Sequence, residues 1–240
     1  MILEEISMKD FEQKIKKNKT VIIPVGSLEA HGPHLPLGTD TIEVYEIAKK
    51  VAKSTAVFIA PPLWYGVCRS TSQHPGTVGI TADSLRRCIK DVVKSLYANS
   101  LRNFIIISGH ASSLHLSALQ EAGEALLGEM PSDSRIAVIS LYGMAQEAAR
   151  GICKTEDDSH AGEIETSLML HLSSHLVTGR GKEEYPSFPE HLLTRHKRKY
   201  WKNAVWGDPR QASAPQGRLI TEKLVDKLAG LVKEIAVFSG

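Results

Sequence analysis

Two kinds of apolar pattern alternate along the chain, and they predict strands and helices in turn. Short, continuous apolar runs rich in β-branched residues are typical of buried strands, and they occur at residues 20–23, 56–60, 104–107 and 136–141. Apolar residues at helical spacing predict helices at residues 8–17, 40–53, 82–99, 160–175 and 217–237, and one more after Ser113. Strands that alternate with helices indicate parallel pairing. We therefore predict a three-layer α/β/α sandwich with a mainly parallel central sheet.

The 240 residues fit one α/β domain, so we expect residues 1–240 to form a single domain. Residues 178–215 carry many Pro, Gly and charged residues and show no strong period. We interpret them as an irregular excursion that holds only local pieces of structure, not as a second domain.

Composition and charge narrow the class of protein. The net charge of +2 gives no reason to expect nucleic acid or an anionic membrane as a partner, and the basic run at residues 195–199 is interpreted as solvated surface. The three cysteines lie far apart with no CxxC spacing, which fits a reducing compartment. The chain shows no signal-peptide pattern and no apolar run near the roughly 20 residues of a membrane span. We expect a cytoplasmic protein.

The loop after the first predicted strand concentrates metal-ligating side chains. Glu29, His31, His34 and Asp40 follow that strand closely, among Gly and Pro residues that prevent a helix. Ligands of α/β proteins bind at the carboxyl ends of parallel strands. Two carboxylates and two imidazoles at that edge predict a metal site.

Further candidate ligands follow other strands. His110 comes directly after the third strand, and His160 and Glu163 lie beyond the fourth. Mixed nitrogen and oxygen ligands suit Zn²⁺, Mn²⁺ or Fe²⁺ better than Mg²⁺ or Ca²⁺. The chain lacks the GxGxxG, GxxxxGK[ST] and GxSxG motifs, which argues against dinucleotide-binding, P-loop and serine-hydrolase functions.

Residues 24–40 resemble the signature of the creatininase family, metal-dependent amidohydrolases with an α/β/α fold. Further motifs follow in the family's order, at residues 75–77, 108–110, 159–167 and 206–209. The resemblance therefore covers most of the chain.

The resemblance implies two divalent metal ions per chain, Zn²⁺ and/or Mn²⁺, with Fe²⁺ a further candidate. Glu29, Asp40 and His110 would bind one metal and His31 the second, with Asp40 bridging the two. Water activated by the metals would attack an amide carbonyl, and His160 would carry a proton to the leaving nitrogen. Family members are commonly homo-oligomers, often hexamers, which implies the same here.

Two departures from creatininase itself shape the prediction. Ser112 stands where creatininase has a metal-binding Glu, and Glu156 where it has a tryptophan. We predict that Glu163 replaces the missing ligand, as a metal ligand and catalytic residue beside His160. These changes argue against creatinine as the substrate and leave hydrolysis of another amide bond, in a small or cyclic compound. The alternatives are a formamide deformylase or peptidase of the same family, an inactive ligand-binding homologue, and a sugar-acid isomerase.

Other reactive side chains are ranked lower. His34 is expected to be structural, because Pro33 and Leu35 flank it. His74 and His115 remain open between pocket and packing roles. Cys68 has no paired histidine motif, which argues against a nucleophilic cysteine.

Overall fold

A computed structural model describes residues 1–238. Its sheet has four strands: β1 (Thr20–Val25), β2 (Phe58–Ile59), β3 (Asn103–Ser108) and β4 (Arg135–Ser140). All pairings are parallel and the strand order is β2-β1-β3-β4. The central strand β1 sets the register, because Val21 lies opposite both Phe58 and Phe104. The predicted parallel sheet is confirmed.

Helices cover both faces of this sheet. They are α1 (Met8–Lys14), α2 (Thr39–Ser54), α3 (Ala82–Ala98), α4 (Ser113–Glu129), α5 (Leu141–Ala149), α6 (Glu163–Leu172), α7 (Lys197–Tyr200) and α8 (Ala214–Val237). Strand side chains alternate between the faces. Ile22 and Ile105 pack in one core cluster with α2, α5, α6 and α8. Val21 and Phe104 pack in another with α3 and α4. Two separate cores on one sheet confirm the three-layer sandwich; that residues 1–240 form a single domain stays a prediction.

The main differences from the sequence prediction are at two helices. Helix α5 was not predicted; it follows β4 without a loop, and the Ser140 hydroxyl accepts a hydrogen bond from the Gly143 amide at its start. Helix α6 begins at Glu163 instead of His160. The preceding residues cannot join it, because His160 bridges to Trp206 and Ala161 has a positive φ of 48°.

Residues 178–215 are irregular, as predicted, and run back over the carboxyl edge of the sheet. Their regular pieces are the one-turn helix α7 and a 3₁₀ turn at Pro209–Gln211. Isolated bridges join His160 to Trp206 and Glu184 to Gly207. Among the described residues, no helix combines the length and the apolar character that a membrane crossing requires.

Candidate metal centre

Two glycines bring the strand ends into close contact. A Cβ on Gly109, directly after β3, would collide with the backbone carbonyl of Asp40 in the first turn of α2. A Cβ on Gly26, directly after β1, would collide with Thr41. These close approaches place the His110 segment against the start of α2. The ligands predicted from different strands therefore meet at one point.

Asp40 lies at the centre of this meeting point and is almost completely buried. Its Oδ1 is 3.0 Å from His31 Nε2, and its Oδ2 is 3.0 Å from His110 Nδ1. The Ser27 hydroxyl donates a 2.6 Å hydrogen bond to Oδ2 and fixes the carboxylate plane. One carboxylate thus faces two different imidazoles through its two oxygens.

Backbone carbonyls orient both imidazoles. His31 Nδ1 lies 3.0 Å from the Glu29 carbonyl oxygen, and His110 Nε2 lies 3.2 Å from the Val67 carbonyl oxygen. A carbonyl only accepts, so those nitrogens carry the hydrogen. His31 Nε2 and His110 Nδ1 are thereby turned toward Asp40, the way metal-binding histidines are commonly held. Although burial opposes the shift, the adjacent carboxylates raise the pKa of His31 to about 10 and that of His110 well above its usual range, so a bound metal ion would displace a proton from each.

Glu29 completes one side of the cluster. Its Oε1 is 2.7 Å from His110 Nδ1, and its Oε2 accepts a hydrogen bond from the Thr71 hydroxyl. Oε1 is buried and has no hydrogen-bond partner among the described residues. Cys68 Sγ also lies within 4.8 Å of ligand atoms of Glu29 and His110. A buried carboxylate oxygen 2.7 Å from an imidazole nitrogen forms a pair of ligand atoms that one cation could share.

Glu165 completes the other side. Ligand atoms of His31, Asp40 and Glu165 lie within 4.8 Å of one another. Glu165 Oε2 is 4.0 Å from His31 Nε2 and accepts a hydrogen bond from the Ala161 amide. The carboxylate reaches the cluster from the first turn of α6.

Glu163, predicted as a ligand and catalytic residue, does not reach this cluster, and that prediction needs correction. Its Oε2 accepts hydrogen bonds from the amides of Lys154 (2.9 Å) and Thr155 (2.7 Å), and its Oε1 accepts one from Gln216 (2.7 Å). Two residues along an α-helix turn through roughly 200°, so Glu163 and Glu165 point to opposite sides. Glu163 anchors the segment before α6, and Glu165 takes the position assigned to it.

The crowding of carboxylates shifts their protonation. Burial alone would raise the pKa of Glu29, but the adjoining His110 lowers it to about 2. Burial raises the pKa of Glu165 to about 8, although His31 opposes the shift. One turn beyond Asp40, burial and the nearby Glu165 also hold the pKa of Glu43 well above its usual range. The raised pKa values keep Glu165 and Glu43 protonated at neutral pH, and a cation bound beside them would favour their ionised forms.

His160 lies beside the cluster with its ring stacked on that of His31, at a centroid distance of 4.2 Å. Its Nε2 donates to the Ala30 carbonyl at 2.9 Å, and the edge of Trp201 packs against it. Burial and the neighbouring His31 lower the pKa of His160 to about 4. At neutral pH the imidazole is therefore uncharged, and among the described residues no hydrogen bond engages its Nδ1.

A family model described as creatinine amidohydrolase matches residues 4–232. The chain belongs to the creatininase family. Its relatives include a mycofactocin precursor peptide peptidase of Mycobacterium ulcerans, 30% identical over 94% of this chain and 89% of the relative. A 3-dehydro-scyllo-inosose hydrolase of Thermotoga maritima is 27% identical over 97% of this chain and 82% of the relative. A creatinine amidohydrolase of Pseudomonas putida is 25% identical over 96% of this chain and 95% of the relative. This chain is an enzyme of that hydrolase family.

Solved creatininase structures share its fold. A creatinine amidohydrolase (creatininase) structure aligns with a TM-score of 0.85 at 22% identity, covering 97% of this chain and 96% of the other. A structure named "Creatininase Mn" aligns with a TM-score of 0.84 at 23% identity, covering 97% of both chains. At this identity the match supports the three-layer architecture alone.

Within this creatininase-family fold, the other candidate histidines, His34, His74 and His115, are packed against neighbouring loops and helices. His34 Nε2 bonds to the Thr166 hydroxyl at 2.9 Å, and His115 Nδ1 accepts from the Val67 amide at 3.2 Å. His74 Nε2 donates to the Trp201 carbonyl at 2.8 Å. All three are buried. They support the loops around the site, and none lines the pocket.

Sequence reasoning missed Glu165, although it lies within the 159–167 motif. A signal was present in the helical period, because Glu165 shares its face of α6 with Met169, and Met169 packs beneath the opening loop with Leu35. That signal can be used only when the first residue of α6 is known, because the start of the helix sets which residues share a face. Burial also raises the pKa of Cys68 to about 12, which agrees with the prediction that it is no nucleophile.

Proposed function

We propose that this chain hydrolyses a carbon–nitrogen amide bond in a small substrate, using two divalent metal ions on either side of Asp40. The observation that carries the proposal is the Asp40 carboxylate, whose two oxygens each lie 3.0 Å from a nitrogen of a different imidazole. Glu29 and Glu165 then add one carboxylate to each side.

The donor set fits two separate ions. Glu29, Asp40 and His110 would hold one, and His31, Asp40 and Glu165 the other. Glu29 Oε1, His31 Nε2 and His110 Nδ1 are the atoms that would bind these ions, once each histidine has lost the proton that its raised pKa retains. Bound there, divalent metals polarise a carbonyl oxygen and lower the pKa of a water molecule toward neutrality.

His160 is proposed to move the proton. Its low pKa leaves the ring neutral, so it can accept a proton as water adds to the carbonyl. The proton then passes to the leaving nitrogen. The hydrogen bond to Ala30 and the contact with Trp201 hold the ring against the pocket wall, so the proton moves without a rotation of the side chain.

The metals are proposed to be Zn²⁺ and/or Mn²⁺, with Fe²⁺ a further candidate. Two imidazoles and three carboxylates form a mixed nitrogen and oxygen set that suits these ions better than Ca²⁺ or Mg²⁺. Creatininase structures named with Mn and as a Zn–Zn type support the same range.

A peptidase is the second candidate function. The 30% identity to a mycofactocin precursor peptide peptidase favours it, and so does a second cavity that adjoins the pocket. Retention of all five proposed ligands argues against an inactive ligand-binding homologue. A formamide deformylase or a sugar-acid isomerase would be recognised by its products, formate or a rearranged sugar acid.

The test combines metal content with hydrolysis. Metal per chain is measured by inductively coupled plasma mass spectrometry on the protein as purified, and a panel of cyclic amides, formamides and short peptides is assayed. We expect about two metals per chain and release of an amine, ammonia or formate, lost on chelation and restored by Zn²⁺ or Mn²⁺. One metal or none, with no amide cleaved after reconstitution, would refute the proposal.

Assembly and location also stay predictions: a homo-oligomer, as large as a hexamer, in the cytoplasm. Strand β4 forms one edge of the described sheet and all its residues are half-buried. A second copy could cover that edge.

A further inference from the structure

The pocket at the proposed ligands continues into a second cavity. The inner pocket, of about 200 Å³, is lined partly by Arg69, Ser70, Ser112 and Phe188. The same four residues line the outer cavity, of about 480 Å³. A substrate whose amide lies at the ligands can therefore extend outward across this shared rim.

The outer cavity carries positive charge only. Its charged lining residues are Arg69 and Lys197, and neither Asp nor Glu lines it. Within residues 1–238, no carboxylate oxygen lies within 4.0 Å of either cation; Arg69 is exposed and Lys197 is half-buried. The rim thus holds two positive charges that no acidic side chain offsets.

Specific contacts fix the Lys197 ammonium group against the backbone of Arg69. Lys197 Nζ donates to the backbone carbonyl of Arg69, and the Lys197 amide donates to Gln73 Oε1 at 2.8 Å. Gln73 Nε2 donates in turn to the Arg195 carbonyl at 2.5 Å. Burial and the charge of Arg69 lower the pKa of Lys197, as expected for two cations that repel. The basic run at residues 195–199 is therefore partly built into the cavity wall.

Ser112 adds a hydroxyl to this same rim. This hydroxyl can donate a hydrogen bond to an anion bound beside Arg69. Phe188 and the exposed Leu192 supply an apolar wall for the body of a substrate.

We propose that the substrate amide carries an anionic group, a phosphate or a carboxylate, and that Arg69 and Lys197 bind this group at the rim. This inference rests on the proposed amide hydrolysis and adds the substrate class. Charge-assisted hydrogen bonds from a guanidinium and an ammonium group are strong enough to select anionic amides over neutral ones.

Paired substrates test the selection. Each pair is an N-formyl or N-acyl amine, in one member with a terminal phosphate or carboxylate and in the other with the matching neutral ester or alcohol. We expect kcat/KM to be about tenfold or more higher for the anionic member, and the preference to fall as salt rises. Comparing the phosphate pair with the carboxylate pair shows which anion the rim prefers.

Variants assign the preference to the rim. Arg69→Ala should raise KM for the anionic member about tenfold or more and lower kcat/KM for the neutral member much less, and Arg69→Lys should keep part of the preference. Arg195→Ala is the matched control, because its side chain does not line the cavity while its backbone contact to Gln73 is kept. Equal loss for both members would contradict anion recognition.

A direct measurement of anion binding tests the role of Arg69 even if no substrate of the panel is cleaved. Inorganic phosphate and acetate are titrated into the metal-loaded protein and followed by the fluorescence of Trp201 and Trp206, which line the inner pocket. Affinity should drop about tenfold in Arg69→Ala and stay constant in Arg195→Ala, since an anion bound only to the metals would be unaffected by either change. Unchanged affinity in Arg69→Ala overturns the inference.

The two proposals fail in different ways. Amide cleavage without a preference for anionic substrates refutes this inference alone. Anion binding at Arg69 without cleavage of any amide refutes the proposed function instead.

Discussion

The two sides of the candidate metal centre lie on different structural elements. The loop side, Glu29, His31 and Asp40 with His110, lies on short segments directly after β1 and β3. The helix side, His160 and Glu165, lies at the start of α6, and no strand directly precedes it. The loop-side residues and His160 could be named from the sequence, whereas Glu165 could not. Ligands that follow a strand directly are positioned by local sequence, and ligands on a helix depend on its start and rotation.

The largest effect is expected at the residue that both sides share. Asp40→Asn keeps the shape but removes the charge between His31 and His110, so both metals should be lost and hydrolysis should fall by about three orders of magnitude or more. Metal analysis and an amide assay on the same preparation check this. Full metal content in the variant would show that Asp40 is not the bridge.

The next effect separates two glutamates that lie two residues apart. Glu165→Gln should lose the second metal and most activity while the first metal stays bound by Glu29, Asp40 and His110. Glu163→Gln is its matched control and should keep both metals, because Glu163 bonds only to the segment before α6 and to Gln216. A metal count per chain, with zinc added stepwise, distinguishes them. The opposite pattern would restore Glu163 as the ligand.

The control variant Glu163→Gln should itself lower the stability of the fold. Glu163 accepts hydrogen bonds from two backbone amides and one side-chain amide in a buried setting. Replacing the carboxylate should lower the free energy of unfolding by about 1.5–3 kcal/mol. Urea unfolding at neutral pH measures it. A change within experimental error would mean that this anchor does not stabilise the helix side.

The smallest effect is a pH dependence on the helix side. Asp158 Oδ2 accepts from the Ile164 amide at 2.7 Å, and burial raises the pKa of Asp158 to about 6. Folding thus favours its protonated form, so its stabilising contribution is full below about pH 4 and is lost as pH rises through 6. Asp158→Asn should remove a fall in stability on the order of 1–2 kcal/mol across this window. Thermal unfolding from pH 4 to 7, with wild type in parallel, tests it; identical pH profiles would contradict it.

These contrasts show what the sequence could and could not specify. The β-branched runs specified β1 and β3, and residues 26–40, with their Gly and Pro, fixed a loop whose ligands could be named in advance. Helix α5 was missed because it follows β4 with only Ser140 as a cap. Glu165 was missed because the rotation of α6 depends on contacts from distant segments, the Trp206 bridge and the Gln216 hydrogen bond. Long-range contacts of this kind leave no local pattern.

The rim cations show the same limit. Residues 195–199 were predicted to be solvated surface, and most of that run is exposed in the structure. Lys197 joins the cavity wall only because Gln73, more than a hundred residues earlier, holds it there. Charge runs can therefore be assigned to solvent or to a site only after the loops around them are placed.

The most direct test of the central claim is anomalous diffraction from a crystal of the metal-loaded protein, recorded at the absorption edge of the bound metal. The account predicts two anomalous peaks flanking the Asp40 carboxylate, one within bonding distance of Glu29 and His110 and the other within bonding distance of His31 and Glu165. A single peak, or a second metal bound by Glu163 in place of Glu165, would contradict it.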